Sequence, residues 1–204
     1  MRRRAEVIAC GSVAAAVMQG KTARGEMLLY HGQPIDALFH TDSGGMTENS
    51  EDVWGGYVPY LRAARDPQQK TMPWTKSIPL NTLSAKLAAK GKKVGTIRKV
   101  TLSPVQFGKE TSDRTVSGRV KTMTVIGTQG TARISGNDMR SMFGLKSTLF
   151  AAKIQKDALL LEGYGYGHGL GISQWGAKRL AESGKPYADI LHHYYTGVEL
   201  TKQY

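Results

Sequence analysis

The sequence predicts an α+β protein: mixed, mostly antiparallel strands with a few short helices and a helical C-terminal stretch. Three observations carry this expectation. Short β-branched and apolar runs are separated by glycine-containing turns. Helical periodicity is confined to brief stretches. Strands and helices interleave without the regular strand–helix–strand spacing that a parallel sheet requires.

In chain order, residues 1–24 are weakly patterned, with an Ala/Val-rich patch at 13–17. Glu26–Tyr30 and Ile35–His40 read as two strands of a hairpin about His31-Gly32-Gln33-Pro34. Asp66 to Pro79 reads as loop. Asn81–Lys90, with Leu83 and Leu87 on one side, reads as a helix closed by Gly91. Ile97–Leu102 is a strand and Lys109–Thr115 a polar loop; Gly118–Ile126 and Thr131–Ile134 are strands about a Gly127–Gly130 turn. Ser135 caps a short helix that ends at Gly144. Thr148–Ile154 and Ala158–Glu162 complete the strands. A helix carrying Ile172, Trp175, Ala177 and Leu180 runs until Gly184, and a second spans Tyr187–Tyr195 with Ile190, Leu191 and Tyr194 on its apolar side.

At 204 residues the chain is long enough for one sizeable core and reads as a single domain. Lys plus Arg number 28 against 16 Asp plus Glu, a net charge of +12, so an anionic partner is expected. Nucleic acid, an anionic membrane and an anionic cell-wall polymer all qualify. The cations look scattered and no nucleic-acid module is recognisable, which favours a general surface potential over a dedicated DNA-reading face, so no nucleic-acid partner is expected. The single cysteine, Cys10, excludes an internal disulfide and argues against a thiolate metal cluster. No apolar run is long enough to span a membrane as a helix. Val7–Cys10 resembles a lipoprotein processing box, but Glu6 interrupts the apolar region, so no convincing signal peptide is read.

Three stretches carry chemistry. From Gly163 to Gly171 glycine takes every second position, with Tyr164, Tyr166, His168 and Leu170 between, and from Ile172, through Ser173 and Gln174, the pattern turns helical. Such alternation bares one edge of the backbone to close approach by a ligand or another backbone, and feeds polar groups toward a helix N-terminus. It matches neither a dinucleotide fingerprint nor a P-loop. His40-Thr-Asp-Ser43-Gly44-Gly45-Met-Thr47-Glu48 is a sharp polar loop at a strand end, the usual seat of functional groups, although a simple turn accounts for it as readily. Trp54, Tyr57 and Tyr60 then stand among polar residues, an arrangement that suits sugar stacking and suits core anchoring equally. Glu48, Glu51 and Asp52 lie close in sequence, and crowded carboxylates can raise one another's pKa.

With these residues in view, the chain resembles the SpoIID/LytB domain of bacterial sporulation and cell-wall proteins. The resemblance rests on Tyr30-x-Gly32-x-Pro34-Ile35, on Phe39 through Gly56 with Pro59-Tyr60-Leu61, and on Ser135 through Arg140. It continues through Gly163–Ala177 to Tyr195-Thr-Gly-Val198, covering about residues 20–200 in family order. What it implies is peptidoglycan. Sporulation members are lytic transglycosylases that cleave glycan strands, and LytB-type members are described as enhancers of an N-acetylmuramoyl amidase. The resemblance implies a substrate groove lined by His40, Ser43, Gly44, Gly45, Thr47, Glu48, Trp54, Tyr164, Tyr166, His168, Ser173 and Gln174. It also implies an extracytoplasmic place, in the wall or at the membrane, and partners among glycan strands, a wall amidase or other sporulation proteins.

One departure matters. Family members begin with a helical segment bearing an acidic residue that serves as general acid/base, and this sequence starts beyond it, as though N-terminally truncated. The catalytic residue is therefore unknown, and the chain alone is expected to be inactive, leaving a non-catalytic wall-binding module or amidase enhancer as the other reading. Some members hold zinc with His and cysteines; no cysteine lies near His40, so neither a metal nor a cofactor is expected.

Overall fold

The computed structural model describes residues 25–202. Cys10, the basic start and the apolar patch at 13–17 lie outside the described residues. Within them the class is α+β, as the sequence predicts. The elements are β1 (Glu26–Tyr30), β2 (Gln33–Pro34), β3 (Phe39–His40), α1 (Ser50–Trp54), β4 (Trp74–Pro79), α2 (Leu80–Ala89), β5 (Ile97–Thr101) and β6 (Thr122–Gly127). There follow β7 (Gly130–Ser135), α3 (Gly136–Phe143), β8 (Phe150–Gln155), β9 (Ala158–Gly163), β10 (Ile172–Ser173), α4 (Gln174–Glu182), α5 (Tyr187–Tyr194) and β11 (Glu199–Lys202). The two C-terminal helices stand where expected, and a short strand follows them.

The described residues divide into two compact units, 25–69 with 169–202 and 70–168. The first is discontinuous in sequence. Its sheet has the order β11-β1-β2, with Glu26 opposite Lys202 and Leu29 opposite Glu199. The hairpin turn is His31-Gly32, at φ 49° and 74°. Two successive positive values make a two-residue turn that matches strand twist, so pairing resumes at Gln33. The expected strand Ile35–His40 is thus split. Asp36 gives its backbone N–H to the Tyr60 phenol (3.2 Å) instead of to a neighbouring strand, and extended pairing returns only at β3. β3 and β10 pair in parallel, Phe39 opposite Ile172 and His40 opposite Ser173. Leu28, Ile35, Leu61, Ile172, Ile190 and Tyr194 are the heart of this unit's core.

The second unit holds two antiparallel three-stranded sheets, β4-β9-β8 and β5-β6-β7. Its core gathers Trp74, Ile78, Leu83, Leu87, Met123, Val125, Phe150 and Leu161. β4 replaces the loop expected before Pro79: Trp74 and Ile78 are buried and the strand pairs residue for residue with β9. The periodicity of β6 and β7 is strict, with Met123 and Val125, then Ala132 and Ile134, turned to the core. α3 forms where expected because the Ser135 hydroxyl accepts from the Asp138 N–H and Gly144 closes it at φ 61°. Arg114, buried, donates to the carbonyls of Ser103 (2.6 Å), Gly118 (2.7 Å) and Phe150 (3.0 Å), which ties the loop before β6 to β8. Burial pushes its guanidinium down to about 10.

Candidate functional site

The polar loop of the first unit is folded inward. His40 (4% exposed), Ser43 (0%), Thr47 (0%) and Glu48 (1%) are buried together with Gly44 and Gly45. Buried polar groups require partners, and the loop supplies them locally and across the sequence. Asp42 accepts the Gly44 N–H through Oδ1 (2.8 Å) and meets Arg179 Nη1 through Oδ2 (3.4 Å). The Ser43 hydroxyl accepts the Gly45 N–H (2.9 Å) and donates to Asp66 Oδ2 (2.5 Å). The Tyr194 phenol donates to Asp66 Oδ1 (2.5 Å), so one carboxylate joins the loop to α5. Burial, and then the Asp66 charge, push that phenol well above the ordinary tyrosine range.

Ser173 completes this knot. Its hydroxyl oxygen accepts the backbone N–H of Ser43 (3.1 Å) and caps α4 through Gly176 N–H (3.2 Å). His40 Nδ1 meets the Leu170 carbonyl (3.1 Å), an acceptor only, which assigns the ring proton to Nδ1. Glu48 gives its backbone N–H to the Gly169 carbonyl (2.8 Å), and its carboxylate accepts the Asn49 N–H (3.1 Å). Thr47 bonds the 62–64 segment, accepting the Ala64 N–H (2.8 Å). Of the residues the sequence reading expected in a groove, the structure brings together His40, Ser43, Gly44, Gly45, Thr47, Glu48 and Ser173 in the first unit. The sequence reading missed Asp66, Arg179 and Tyr194, whose partners lie far away in sequence.

Around this buried knot the same unit presents rings to solvent. Trp54 is 56% exposed, Tyr57 68% and Trp175 40%. Trp54 ends α1 at the left-handed Gly55, and Tyr57 follows in the turn. The Arg62 guanidinium covers one face of Tyr57 at 4.3 Å from the ring centre, leaving the other open. Arg62 is itself held by both Glu51 oxygens (2.8 and 2.5 Å) and by Ser50 and the Val58 carbonyl. The fork holds the Glu51 carboxyl down to about 2, chiefly through its hydrogen bonds. Trp175 has Lys178 Nζ at 4.6 Å, and Gln174 beside it is exposed.

Tyr164, Tyr166 and His168 belong to the second unit. Its stretch of alternating glycines is pinned by backbone bonds: Tyr164 N–H to the Leu149 carbonyl, Gly165 N–H to Thr71, and Gly167 N–H to Lys146. The Ser147 hydroxyl donates to the Tyr164 carbonyl (2.5 Å). Tyr166 is half exposed and His168 partly buried. The bare edge receives other groups, as the alternation implies. A methyl at Gly163 would stand 2.2 Å from the Trp74 ring. In the first unit one at Gly171, where φ is 65°, would stand 2.0 Å from the Leu38 carbonyl oxygen.

Among the described residues no group of three or more His, Cys, Asp or Glu gathers to hold a metal, and no helix is long and apolar enough to cross a membrane. Compared with known proteins, residues 59–171 match the family described as "Domain of unknown function (DUF8618)". The chain is 32% identical over 182 residues to stage II sporulation protein D of Bacillus amyloliquefaciens, spanning 88% of this chain and 48% of that one. It is 32% identical to the stage II sporulation protein D of Bacillus subtilis (strain 168), spanning 89% of this chain and 49% of the relative. With the amidase enhancer of the same organism it shares 31% identity, over 87% of this chain and 31% of the relative. The chain thus spans about half the length, or less, of the curated relatives it matches.

Proposed function

The chain belongs to the SpoIID-like family, and on that footing we propose that it serves sporulation or cell-wall remodelling by engaging peptidoglycan glycan strands outside the cytoplasm. The observation that carries this reading is the pairing of exposed rings with a rigid polar frame. Trp54 and Tyr57 are more than half exposed, yet their backbone is fixed by α1, by the Arg62–Glu51 fork and by the buried loop behind them. A preorganised ring loses little freedom when a sugar stacks on it. Replacing Trp54 with Ala is expected to weaken binding to purified sacculi roughly two- to tenfold, taking aromatic pairing at about 0.5–1.5 kcal/mol as the scale. The circular dichroism melt should stay nearly unchanged. A collapsed melt would make Trp54 a core residue and remove the support.

Within this reading, binding or amidase enhancement is favoured over glycan cleavage by the described residues. Lytic cleavage needs a carboxyl group that is protonated near neutral pH, and Glu51, held down to about 2, is tuned the other way. Lytic transglycosylase activity, as the resemblance implies it, is therefore not assigned to Glu51. The protein incubated with denuded sacculi is expected to release no anhydro-muramyl ends. Anhydro products that disappear in Glu48→Gln or Glu51→Gln would reverse this assignment.

A further inference from the structure

The positive charge is not spread over the molecule. Residues 70–168, the second unit, hold 17 Lys plus Arg against 5 Asp plus Glu, a net charge of +12 that equals the net charge of the whole chain. The rest of the chain, 1–69 with 169–204, holds 11 Lys plus Arg against 11 Asp plus Glu, a net charge of zero. Electrostatic attraction to a polyanion therefore belongs to the second unit.

Within the second unit, β5-β6-β7 offers a built face. Its inward positions, Ile97, Met123, Val125, Ala132 and Ile134, are buried. The register sets Lys99, Ile126 and Thr131 in one outward row and Thr101, Thr124 and Arg133 in the next. Lys99 and Arg133 are exposed on opposite edge strands, with threonine hydroxyls between them. Lys92, exposed, reaches the Arg133 carbonyl with Nζ (2.5 Å), which brings a further ammonium to the β7 edge. The carboxylate found there, Asp138, is engaged by Lys90 (2.5 Å). Two strand spacings separate β5 from β7, roughly 10 Å, too wide for a single phosphate and suited to successive charges along one chain.

We propose that the outward face of β5-β6-β7 binds a linear phosphodiester polymer of the wall, a polyol phosphate, through Lys92, Lys99, Arg133 and the intervening threonines. The proposal rests on the wall association argued above and adds a second, separate ligand to it. Cations with hydroxyls between them are the donor set that phosphate oxygens take up. The three strands carry no aromatic residue on which bases could stack, which favours a polyol phosphate over single-stranded nucleic acid.

The test uses the full chain and four probes: soluble poly(glycerol phosphate), sacculi stripped of phosphodiester polymers by acid, a duplex DNA oligonucleotide and a single-stranded one. The wild type is expected to bind poly(glycerol phosphate) with an affinity that falls as salt is raised. The Lys92→Glu, Lys99→Glu, Arg133→Glu triple variant should lose about tenfold or more of that affinity, and its binding to stripped sacculi should not change. The Gln versions of the same positions should give an intermediate loss, which separates charge from misfolding. Trp54→Ala should do the opposite, weakening stripped sacculi alone, so failure of the glycan reading and failure of this one give different patterns. Equal polymer binding by wild type and the triple variant would overturn the proposal. Tighter binding to either oligonucleotide than to the polymer, lost in the triple variant, would overturn it in favour of nucleic acid.

Discussion

Asp66 ties together parts of the first unit that lie far apart in sequence. Its two oxygens take Ser43 and Tyr194, and a side chain at Gly176 would stand 2.2 Å from one of them, so the carboxylate sits in a closed slot under α4. Asp66→Ala leaves a buried hydroxyl and a buried phenol without their acceptor. An unsatisfied buried group costs about 1–3 kcal/mol, so a loss of at least that size in urea unfolding is expected, with Tyr194→Phe milder. Its importance was illegible in the sequence because its partners lie 23 and 128 residues away and Pro67 makes its surroundings read as loop. Glu51 gives a pH test. Its folded-state value of about 2 lies below the ordinary 4.5, so the pair's contribution is present above about pH 4.5 and is lost as pH falls toward 2. Glu51 is 39% exposed, so the gain is below about 1 kcal/mol. The stability gap between wild type and Glu51→Gln should close across that window, and a constant gap would mean that the fork adds nothing through charge.

At the scale of elements, legibility followed whether the signal was local. α3 could be read from its own residues, a Ser cap and a terminal glycine, and Ser135→Ala should cost about 1 kcal/mol by thermal melt. The β6–β7 hairpin was readable from period-two alternation. β4 was not: Trp74-Thr-Lys-Ser-Ile-Pro has no alternation that marks a strand, and only its pairing with β9 makes it one. α1 is five residues long and has no side-chain cap to announce it. The alternating glycines were legible as a stretch demanding close approach, while the identity of what approaches, the Trp74 ring and the Leu38 carbonyl, was not. Gly171→Ala therefore combines a left-handed φ with a collision against backbone. Strain of about 1–2 kcal/mol and overpacking of about 1–3 kcal/mol should add, and denaturant unfolding should show a loss of several kcal/mol. A loss under about 1 kcal/mol would mean that β3 and β10 can part without harm.

On the scale of the whole molecule, the charge division was countable in the sequence but invisible without the boundary that the structure draws at residues 70 and 168. The family match at 59–171 encloses that same segment. Residues 70–168 have their own core and two sheets, so this piece expressed alone is expected to melt cooperatively with a β-rich spectrum; a featureless melt would refute it. The parallel β3–β10 pair has a different consequence, which falls on the ribosome. His40 waits for Ser173, and Asp66 waits for Tyr194, so the first unit cannot close until residue 194 has been made. At about 5–20 residues per second, the intervening segment takes roughly 5–20 s to translate. Through that interval the nascent chain carries a β1 whose β11 edge is still open, and a loop full of hydroxyls and carboxylates. The second unit is thus able to fold before the first, and the unit whose two segments flank it in sequence is the one that needs protection on the way.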